Sequence, residues 1–435
     1  MSDACFRLAL CLPAQGASEI EATLLEWHVA AGDRFEKGAV LAQAEGAKSV
    51  FDFIAPCAGA VVRLCHLQGE TVPLNEPVLE IETGDPAMRD LPPAEAAEDG
   101  MLDAAPIVAP RQRDGDEVVI LGVGGYLPQR VVSNGELIGN FPGVTEDYVY
   151  QVTGIRERRW AAEGEKPSEM ALAASREAIR KSGLTPADID TVLVATTTPD
   201  VAMPSTACIL KDKLGLPAGP ALDLNAACSG WLYAVALARS MILSGMARNV
   251  LAVGVDLQSR LLNGEDRNAF FIFGDGAGAA VISSGTMGHR ICQAILDADT
   301  RGLHMARREM PGYLTSANGT GDPWVRLDGQ ALFRFATESF TALIHRTIAS
   351  AGWKPEETRW IIPHQANARI LKAAARHAHV PFERFYLNMQ RVGNTSSASI
   401  PLALVEAEAG FNPGDKLILC AVGAGMTTAA IAVEW

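Results

Sequence analysis

The chain has 435 residues, 48% of them hydrophobic and 20% charged, which is typical of a globular protein with two or three domains. The sequence contains no apolar run near the roughly 20 residues of a transmembrane helix. Its first residues, MSDACFRLALCLPAQ, place an acid before a short apolar run and lack the basic start of a secretion signal. Its eight cysteines have no CxxC spacing. We therefore expect a cytoplasmic protein with reduced thiols, no membrane association and no metal site.

The net charge of −14 is concentrated near the N-terminus. Residues 1–85 carry 5 Lys and Arg against 13 Asp and Glu, residues 86–116 carry 3 against 7, and residues 117–435 carry 29 against 31. This pattern predicts an acidic head, an acidic connection and a nearly neutral body. It argues against nucleic acid as a partner.

Residues 1–83 contain a weak internal sequence repeat. The stretch WHVAAGDRFEKGAVLAQAE, from Trp27, is similar to CHLQGETVPLNEPVLEIE, from Cys65, and each alternates short β-type runs with glycine turns. We predict a small all-β sandwich or flattened barrel with two similar halves. Between the halves, residues 45–48 are expected to form a turn with Lys48 at an exposed tip.

This head resembles the biotinyl/lipoyl carrier domains, in which a lysine on a hairpin tip receives a covalent cofactor. The matching residues are Gly32, Asp33, Phe35, Gly38, Ala55, Pro56, Gly59 and Gly69. The resemblance implies that Lys48 carries a lipoyl group, with biotin less favoured. The local Ala47-Lys48-Ser49 sequence departs from the usual Asp-Lys-Ala of lipoyl domains and Met-Lys-Met of biotin domains, so an unmodified docking module is the alternative.

Residues 84–116 are rich in Ala, Pro, Asp and Glu without an amphipathic period, and this composition predicts a flexible acidic linker. As a flexible coil it would span roughly 30 Å. From residue 117 to 435 the pattern alternates between strand-like and helix-like segments. Such alternation predicts an α/β domain with sheets covered by helices on both faces. Within it, FIFGDGAGAAVI, with Gly274, Gly276 and Gly278, is predicted to be a tight turn between apolar strands.

The stretch PALDLNAACSGWLYAVALARSMILSG, residues 220–245, predicts a buried strand, a tight turn and a buried helix that stops at Gly245. We expect Cys228 in the first turn of that helix, where unpaired N–H groups and the helix dipole favour a thiolate nucleophile. The alternative is that Cys228 is a small buried apolar residue.

Other polar residues also follow strands in the body. His364 comes after RWIIP, Asn394 lies in a glycine-preceded turn, and residues 423–425 form a glycine-rich turn whose N–H groups can approach a ligand. Taken singly, such a histidine or asparagine is more often structural.

The order of these residues resembles β-ketoacyl-acyl-carrier-protein synthase III, a condensing enzyme of the thiolase superfamily. The matching motifs are Thr153-Gly-Ile-Arg, Met203-Pro-Ser, Asn225-Ala-Ala-Cys-Ser-Gly, Phe273-Gly-Asp-Gly-Ala-Gly, His364-Gln-Ala-Asn and Gly393-Asn-Thr-Ser. The resemblance implies a homodimer with a duplicated five-layer thiolase-like fold, with halves at about 117–290 and 291–435.

The resemblance also implies a role for each site residue. Cys228 would carry the acyl group as a thioester, with its tetrahedral oxyanion held by the N–H groups of Cys228 and Gly425. His364 and Asn394 would stabilise the enolate that a malonyl thioester, expected to be malonyl-acyl carrier protein, leaves on losing CO₂. Met203 would close the acyl pocket of the partner subunit.

A basic face is expected beside this site, because Arg369, Lys372 and Arg376 recur at helical spacing. With Arg334 it would dock an acidic acyl carrier protein, the alternative being a solvated helix face. The family's CoA clamp is altered: Tyr148 and Val152 stand where CoA-primed members have Trp and Arg.

We therefore favour an acyl donor that reaches Cys228 from lipoyl-Lys48, loaded by a thiamine-dependent 2-oxo acid decarboxylase. Two alternatives stay open. One is an acyl-CoA-primed synthase whose head only docks, and the other is a non-condensing acyltransferase that uses the same cysteine.

Overall fold

A computed structural model describes residues 6–13, 21–46, 50–74, 76–85, 88, 117–309 and 321–435. Lys48 and nearly all of the predicted linker lie outside the described residues. The chain divides into two compact units, Met1–Pro110 and Arg111–Trp435.

The first unit is a β-sandwich with two four-stranded sheets, ordered β1-β8-β6-β3 and β5-β4-β2-β7. Its strands are β1 (Phe6–Cys11), β2 (Glu21–Trp27), β3 (Arg34–Phe35), β4 (Val40–Glu45), β5 (Val50–Ile54), β6 (Gly59–Leu64), β7 (Thr71–Pro73) and β8 (Pro77–Thr83). In β5, Phe51 and Phe53 are buried while the alternate residues face outward. The predicted small all-β head is confirmed.

The second unit is an α/β domain. Its strands are β9 (Val118–Tyr126), β10 (Arg130–Ser133), β11 (Glu157–Trp160), β12 (Thr191–Ala195), β13 (Ala221–Leu224), β14 (Asn249–Leu257), β15 (Asp275–Ser284), β16 (His289–Ala298), β17 (Ala306–Arg307), β18 (Arg326–Leu327), β19 (Thr358–Pro363), β20 (Lys416–Gly423) and β21 (Thr427–Glu434). Its helices are α1 (Asn134–Leu137), α2 (Glu146–Thr153), α3 (Pro167–Ser182), α4 (Thr206–Leu214), α5 (Gly230–Leu243), α6 (Arg267–Phe270), α7 (Gly329–Ser350), α8 (Ala368–His377), α9 (Met389–Val392) and α10 (Ser399–Ala407).

The main sheet runs β13-β12-β14-β15-β9-β16-β21-β20-β19. Helix α3 packs on β9, β14 and β15, and α7 packs on β16, β20 and β21. The nearly all-apolar α5 contacts strands from both ends of this order, including β12, β14, β20 and β21, so it is covered on two sides. This arrangement of helices around and between strands agrees with the predicted thiolase-like fold. The ends of β13, β19 and β20 lie close to the candidate site.

One local prediction was wrong. Gly276 and Gly278 lie inside β15 and not in a turn. A Cβ at Gly278 would lie 2.6 Å from the ring of Pro401, and one at Gly276 would lie 2.8 Å from the side chain of Leu402. These glycines therefore let α10 approach the strand closely.

None of the helices among the described residues is long and apolar enough to cross a membrane. In the same part of the chain, no group of three or more His, Cys, Asp or Glu is placed to hold a metal ion.

Candidate active site

Cys228, the predicted nucleophile, lies on a short turn between β13 and α5. Residues 227–229 form a 3-10 helix, and α5 begins only at Gly230, so Cys228 precedes the α-helix and does not lie in its first turn. Ala227 has a left-handed φ of 47°. A Cβ at Gly423 would lie 2.9 Å from the Cys228 nitrogen. Only a glycine at 423 therefore lets β20 approach the cysteine backbone this closely.

The thiol of Cys228 donates to the hydroxyl of Ser396, with 3.6 Å between Sγ and Oγ. Although the residue keeps partial exposure, burial of the thiol raises its pKa to about 12, and the Asp256 carboxylate contributes in the same direction. The hydrogen bonds from Ser396 and the backbone lower the pKa, but by less. The predicted thiolate was therefore wrong for the resting structure, which holds a neutral thiol.

His364 is buried directly after β19. Its backbone N–H donates to Cys420 O at 2.7 Å, and its Nδ1 lies 2.7 Å from the Ser399 hydroxyl. Burial lowers the pKa of His364 to about 3, so the imidazole is neutral near pH 7. The Gln365 N–H donates to the same Ser399 oxygen at 3.4 Å. Because a hydroxyl has one proton and two lone pairs, Ser399 can donate to Nδ1 while its oxygen accepts from the Gln365 N–H.

Asn394 is buried in the turn between α9 and α10. Its Oδ1 accepts the Ser396 N–H at 2.9 Å, which leaves the Nδ2 amide as the outward donor. Its backbone is also fixed, because Asn394 N donates to Ile272 O and Gly274 N donates to Asn394 O, both at 2.9 Å.

Two buried charged residues, Asp256 and Arg158, lie near this turn. The Asp256 carboxylate accepts from the Ser397 N–H at 3.1 Å and from the Ser397 hydroxyl at 2.7 Å. The Arg158 guanidinium donates to Phe271 O at 2.7 Å and to Asn134 Oδ1 at 2.9 Å. Burial lowers the pKa of Arg158 to about 10. Asp256 therefore bonds the turn directly, whereas Arg158 bonds Phe271, the neighbour of the Ile272 whose carbonyl accepts from Asn394 N–H.

The three predicted catalytic residues thus converge on one segment, residues 394–399. Cys228 contacts Ser396, Asn394 bonds Ser396, and His364 bonds Ser399. Gly425, the predicted second oxyanion donor, lies in the turn between β20 and β21 with φ 130°. That backbone conformation requires glycine.

The predicted basic face is present on α8. Arg369, Lys372 and Arg376 are all exposed on this helix, and Arg334 is exposed on α7, which packs against it. Arg369 Nε donates to Gln151 O at 3.1 Å, so this guanidinium lies beside α2. The Lys372 ammonium lies 5.8 Å from the centre of the Phe382 ring.

The remaining predicted residues lie near the surface. Met203 is 84% exposed in the single chain. Tyr148 and Val152 are partly buried on α2, and Val152 O accepts from Asn367 Nδ2 at 3.0 Å. The structure therefore places Val152 next to the first turn of α8.

Sequence reasoning missed Ser396, Ser399 and Asp256. The only signal for the two serines was the run NTSSAS after Gly393, which does not reveal which hydroxyl faces which catalytic group. Asp256 lies near the end of the apolar strand β14 and carries no motif of its own.

The fold and this cysteine, histidine and asparagine arrangement define a condensing enzyme with the thiolase fold. Family models agree: residues 222–300 match 3-oxoacyl-[acyl-carrier-protein] synthase III and residues 348–435 match its C-terminal part. Residues 9–81 match the model described as biotin-requiring enzyme, so the head is a biotin/lipoyl-type domain.

Known relatives narrow the assignment. The β-ketoacyl-[acyl-carrier-protein] synthase III of Roseiflexus sp. is 39% identical over 72% of this chain and 97% of its own length. The enzyme of Dinoroseobacter shibae is 37% identical over 74% and 100%. The crystal structure of the Thermus thermophilus enzyme has 38% identity and a TM-score of 0.68, covering 73% of this chain and 99% of that one. The chain belongs to the β-ketoacyl-[acyl-carrier-protein] synthase III family, and it is an acyltransferase.

Proposed function

We propose that this enzyme condenses an acyl group on Cys228 with malonyl-acyl carrier protein, releasing CO₂ and a β-ketoacyl thioester. The observation that carries the proposal is the convergence of Cys228, His364 and Asn394 on residues 394–399. A cysteine nucleophile suits acyl transfer, and two neutral hydrogen-bond donors close to the same turn suit stabilisation of an enolate.

In the first half-reaction, the Cys228 sulfur attacks the carbonyl of an acyl thioester. A new S–C bond forms, the bond to the donor sulfur breaks, and the cysteine proton leaves with the donor thiol. We assign the oxyanion site to the N–H groups of Cys228 and Gly425. Because burial raises the pKa of the thiol, we assign loss of its proton to the attack itself.

In the second half-reaction, the malonyl thioester loses CO₂ and its electron pair becomes an enolate. We assign His364 Nε2–H and Asn394 Nδ2–H as the donors to the enolate oxygen. The Ser399 contact with Nδ1 supports the tautomer that carries its proton on Nε2. The enolate carbon then attacks the acyl-Cys228 carbonyl, and the cysteine sulfur leaves.

We further assign Arg334, Arg369, Lys372 and Arg376 as a docking surface for the acidic acyl carrier protein. Their exposure on neighbouring helices supports this role, since a carrier that presents carboxylates would be steered to clustered cations. A homodimer is part of the proposal, and the 84% exposure of Met203 is what a residue that closes the partner's acyl pocket would show before assembly.

The head is proposed to supply the acyl donor. Strands β4 and β5 are paired as far as Glu45 and Val50, the residues on either side of the segment that contains Lys48, so the sandwich provides the strand pair from which carrier lysines project. A lipoyl group on Lys48 would supply a disulfide that is opened and reduced as the 2-oxo acid is oxidised with loss of CO₂, so that one of its sulfurs would hold the acyl group as a thioester. Partners of this head would include a thiamine-dependent 2-oxo acid decarboxylase.

The altered CoA clamp also favours a tethered donor. Val152 lacks the cation that could stack on adenine or pair with a phosphate, and its carbonyl is engaged by Asn367. A donor on the same chain needs no such clamp, because tethering raises its effective concentration.

Intact-mass analysis of the protein purified from its native host tests this assignment. We expect a lipoyl adduct at Lys48. Unmodified lysine would reject the tethered donor and leave the condensation intact. Deletion of residues 1–116 separates the alternatives further: unchanged turnover with acyl-CoA would favour a docking head, and acyl transfer without CO₂ release would favour a non-condensing acyltransferase.

A further inference from the structure

Ser396 contacts both Cys228 and Asn394. Its hydroxyl is the partner of the Cys228 thiol, and its backbone N–H is the partner of Asn394 Oδ1. The residue is 1% exposed. Its φ of 52° is in the left-handed region, which disfavours any residue with a Cβ.

The strain points to a role for the side chain. A glycine at 396 would relieve it, yet the chain has a serine there whose buried hydroxyl faces the nucleophile. A hydroxyl both accepts and donates hydrogen bonds. It can therefore accept from the resting thiol and donate to the sulfur as negative charge develops on it.

We propose that Ser396 is a positioning residue that acts on both half-reactions of the proposed condensation through separate groups. Its hydroxyl stabilises the Cys228 sulfur during acylation. Its N–H orients the Asn394 amide for decarboxylation. The expected changes in the half-reaction rates rest on the proposed function. The expected effect of Ser396 on the pKa of the Cys228 thiol does not depend on turnover.

The charges around the thiol are few among the described residues. Asp256, on β14, raises the pKa of Cys228. The elements packed against the Cys228 turn carry these titratable groups: Cys420 and Lys416 on β20, Glu434 on β21, and Tyr233 and Arg239 on α5. None of these is a cation in hydrogen-bond contact with the sulfur, and the Ser396 hydroxyl lowers the pKa of the thiol. Loss of this hydroxyl should therefore make the thiolate harder to form.

The test compares Ser396→Ala with Ser396→Gly in the full chain. Both remove the hydroxyl and keep the N–H, but only glycine relieves the left-handed strain, so each is the control for the other. Alkylation of Cys228 by iodoacetamide, followed across pH by peptide mass spectrometry, reports the thiolate directly. A hydrogen bond to a charged group contributes roughly tenfold or more, so we expect the alkylation rate at each pH measured to fall by about tenfold in both variants.

The half-reactions give a second readout. Acylation by an acyl thioester should slow by about tenfold in both variants, whereas CO₂ release from malonyl-acyl carrier protein by enzyme that is already acylated should stay within about twofold, because Asn394 keeps its N–H partner. An unchanged alkylation rate would overturn the proposal, as would different rates for alanine and glycine, or equal losses in the two half-reactions. If wild-type enzyme shows the alkylation profile but neither half-reaction, the proposed function fails and not the role of Ser396 toward the thiol.

Discussion

Replacing Asn394 with alanine should separate the two half-reactions. The Asn394 Oδ1 is held by the Ser396 N–H at 2.9 Å, and its backbone is fixed by Ile272 and Gly274. The amide is thus a preorganised donor, and removing one such donor from an oxyanion site typically costs about 10²–10³ in rate, or about 3–4 kcal/mol of transition-state stabilisation. We expect CO₂ release and product formation to fall by that factor.

Acylation of Cys228 should change little in the same variant, because Asn394 bonds the Ser396 backbone and not the thiol or the Ser396 hydroxyl. Acylation is measured by the intact mass of the protein after mixing with an acyl thioester, and condensation by CO₂ release from malonyl-acyl carrier protein. Asn394→Asp is the matched control: it keeps the acceptor for Ser396 N–H but places negative charge beside the enolate, so it should be at least as slow. Equal losses of acylation and condensation in Asn394→Ala would refute the assigned role.

Three further predictions follow from the site. Ser399→Ala should lower condensation by about tenfold with little effect on acylation, because His364 Nδ1 loses the hydroxyl at 2.7 Å that fixes its tautomer; unchanged CO₂ release would contradict this. Arg369→Glu should raise KM for malonyl-acyl carrier protein several-fold at low salt and less at high salt. Arg176 is an exposed arginine on α3, and the control Arg176→Glu should leave KM unchanged. Equal effects of the two substitutions on KM would reject the docking surface. Because the pKa of His364 is lowered, the contribution of this residue to stability is present above about pH 6.5 and is lost as the pH falls toward about 3. The melting temperature of His364→Gln should therefore fall less than that of wild type over this pH range. Parallel plots of melting temperature against pH for the two proteins would contradict the neutral buried imidazole.

The sequence predicted the parts of the site that depend on local pattern. The strand, turn and helix around Cys228 follow from an apolar run, small residues and a second apolar run, and the structure has them at Ala221–Leu224 and Gly230–Leu243. The predicted burial of the strand was wrong, because β13 is at the edge of the sheet and its Leu222 is 38% exposed. His364 and Asn394 were recognisable because each follows a strand or a glycine within a motif. The all-β head followed from its repeated glycine turns.

The parts that failed depend on packing between distant segments. Burial raises the pKa of the Cys228 thiol by more than the local hydrogen bonds lower it. How deeply a turn is buried depends on the segments that pack over it and cannot be read from the sequence of the turn. Ser396 and Ser399 face their partners across 168 and 35 residues of sequence. Gly276 and Gly278 looked like turn residues, but they serve the close contact between β15 and α10, which only the tertiary fold creates.

The proposal that the head supplies the acyl group on Cys228 is tested most directly by following one isotope-labelled acyl group on the full chain. Protein from the native host is mixed with a labelled 2-oxo acid and the host's thiamine-dependent decarboxylase, and the Lys48 and Cys228 peptides are analysed by mass spectrometry over time. We expect label on Lys48 first and then on Cys228, with Lys48→Arg losing the label at Cys228. Labelling of Cys228 at the same rate in Lys48→Arg would contradict the account.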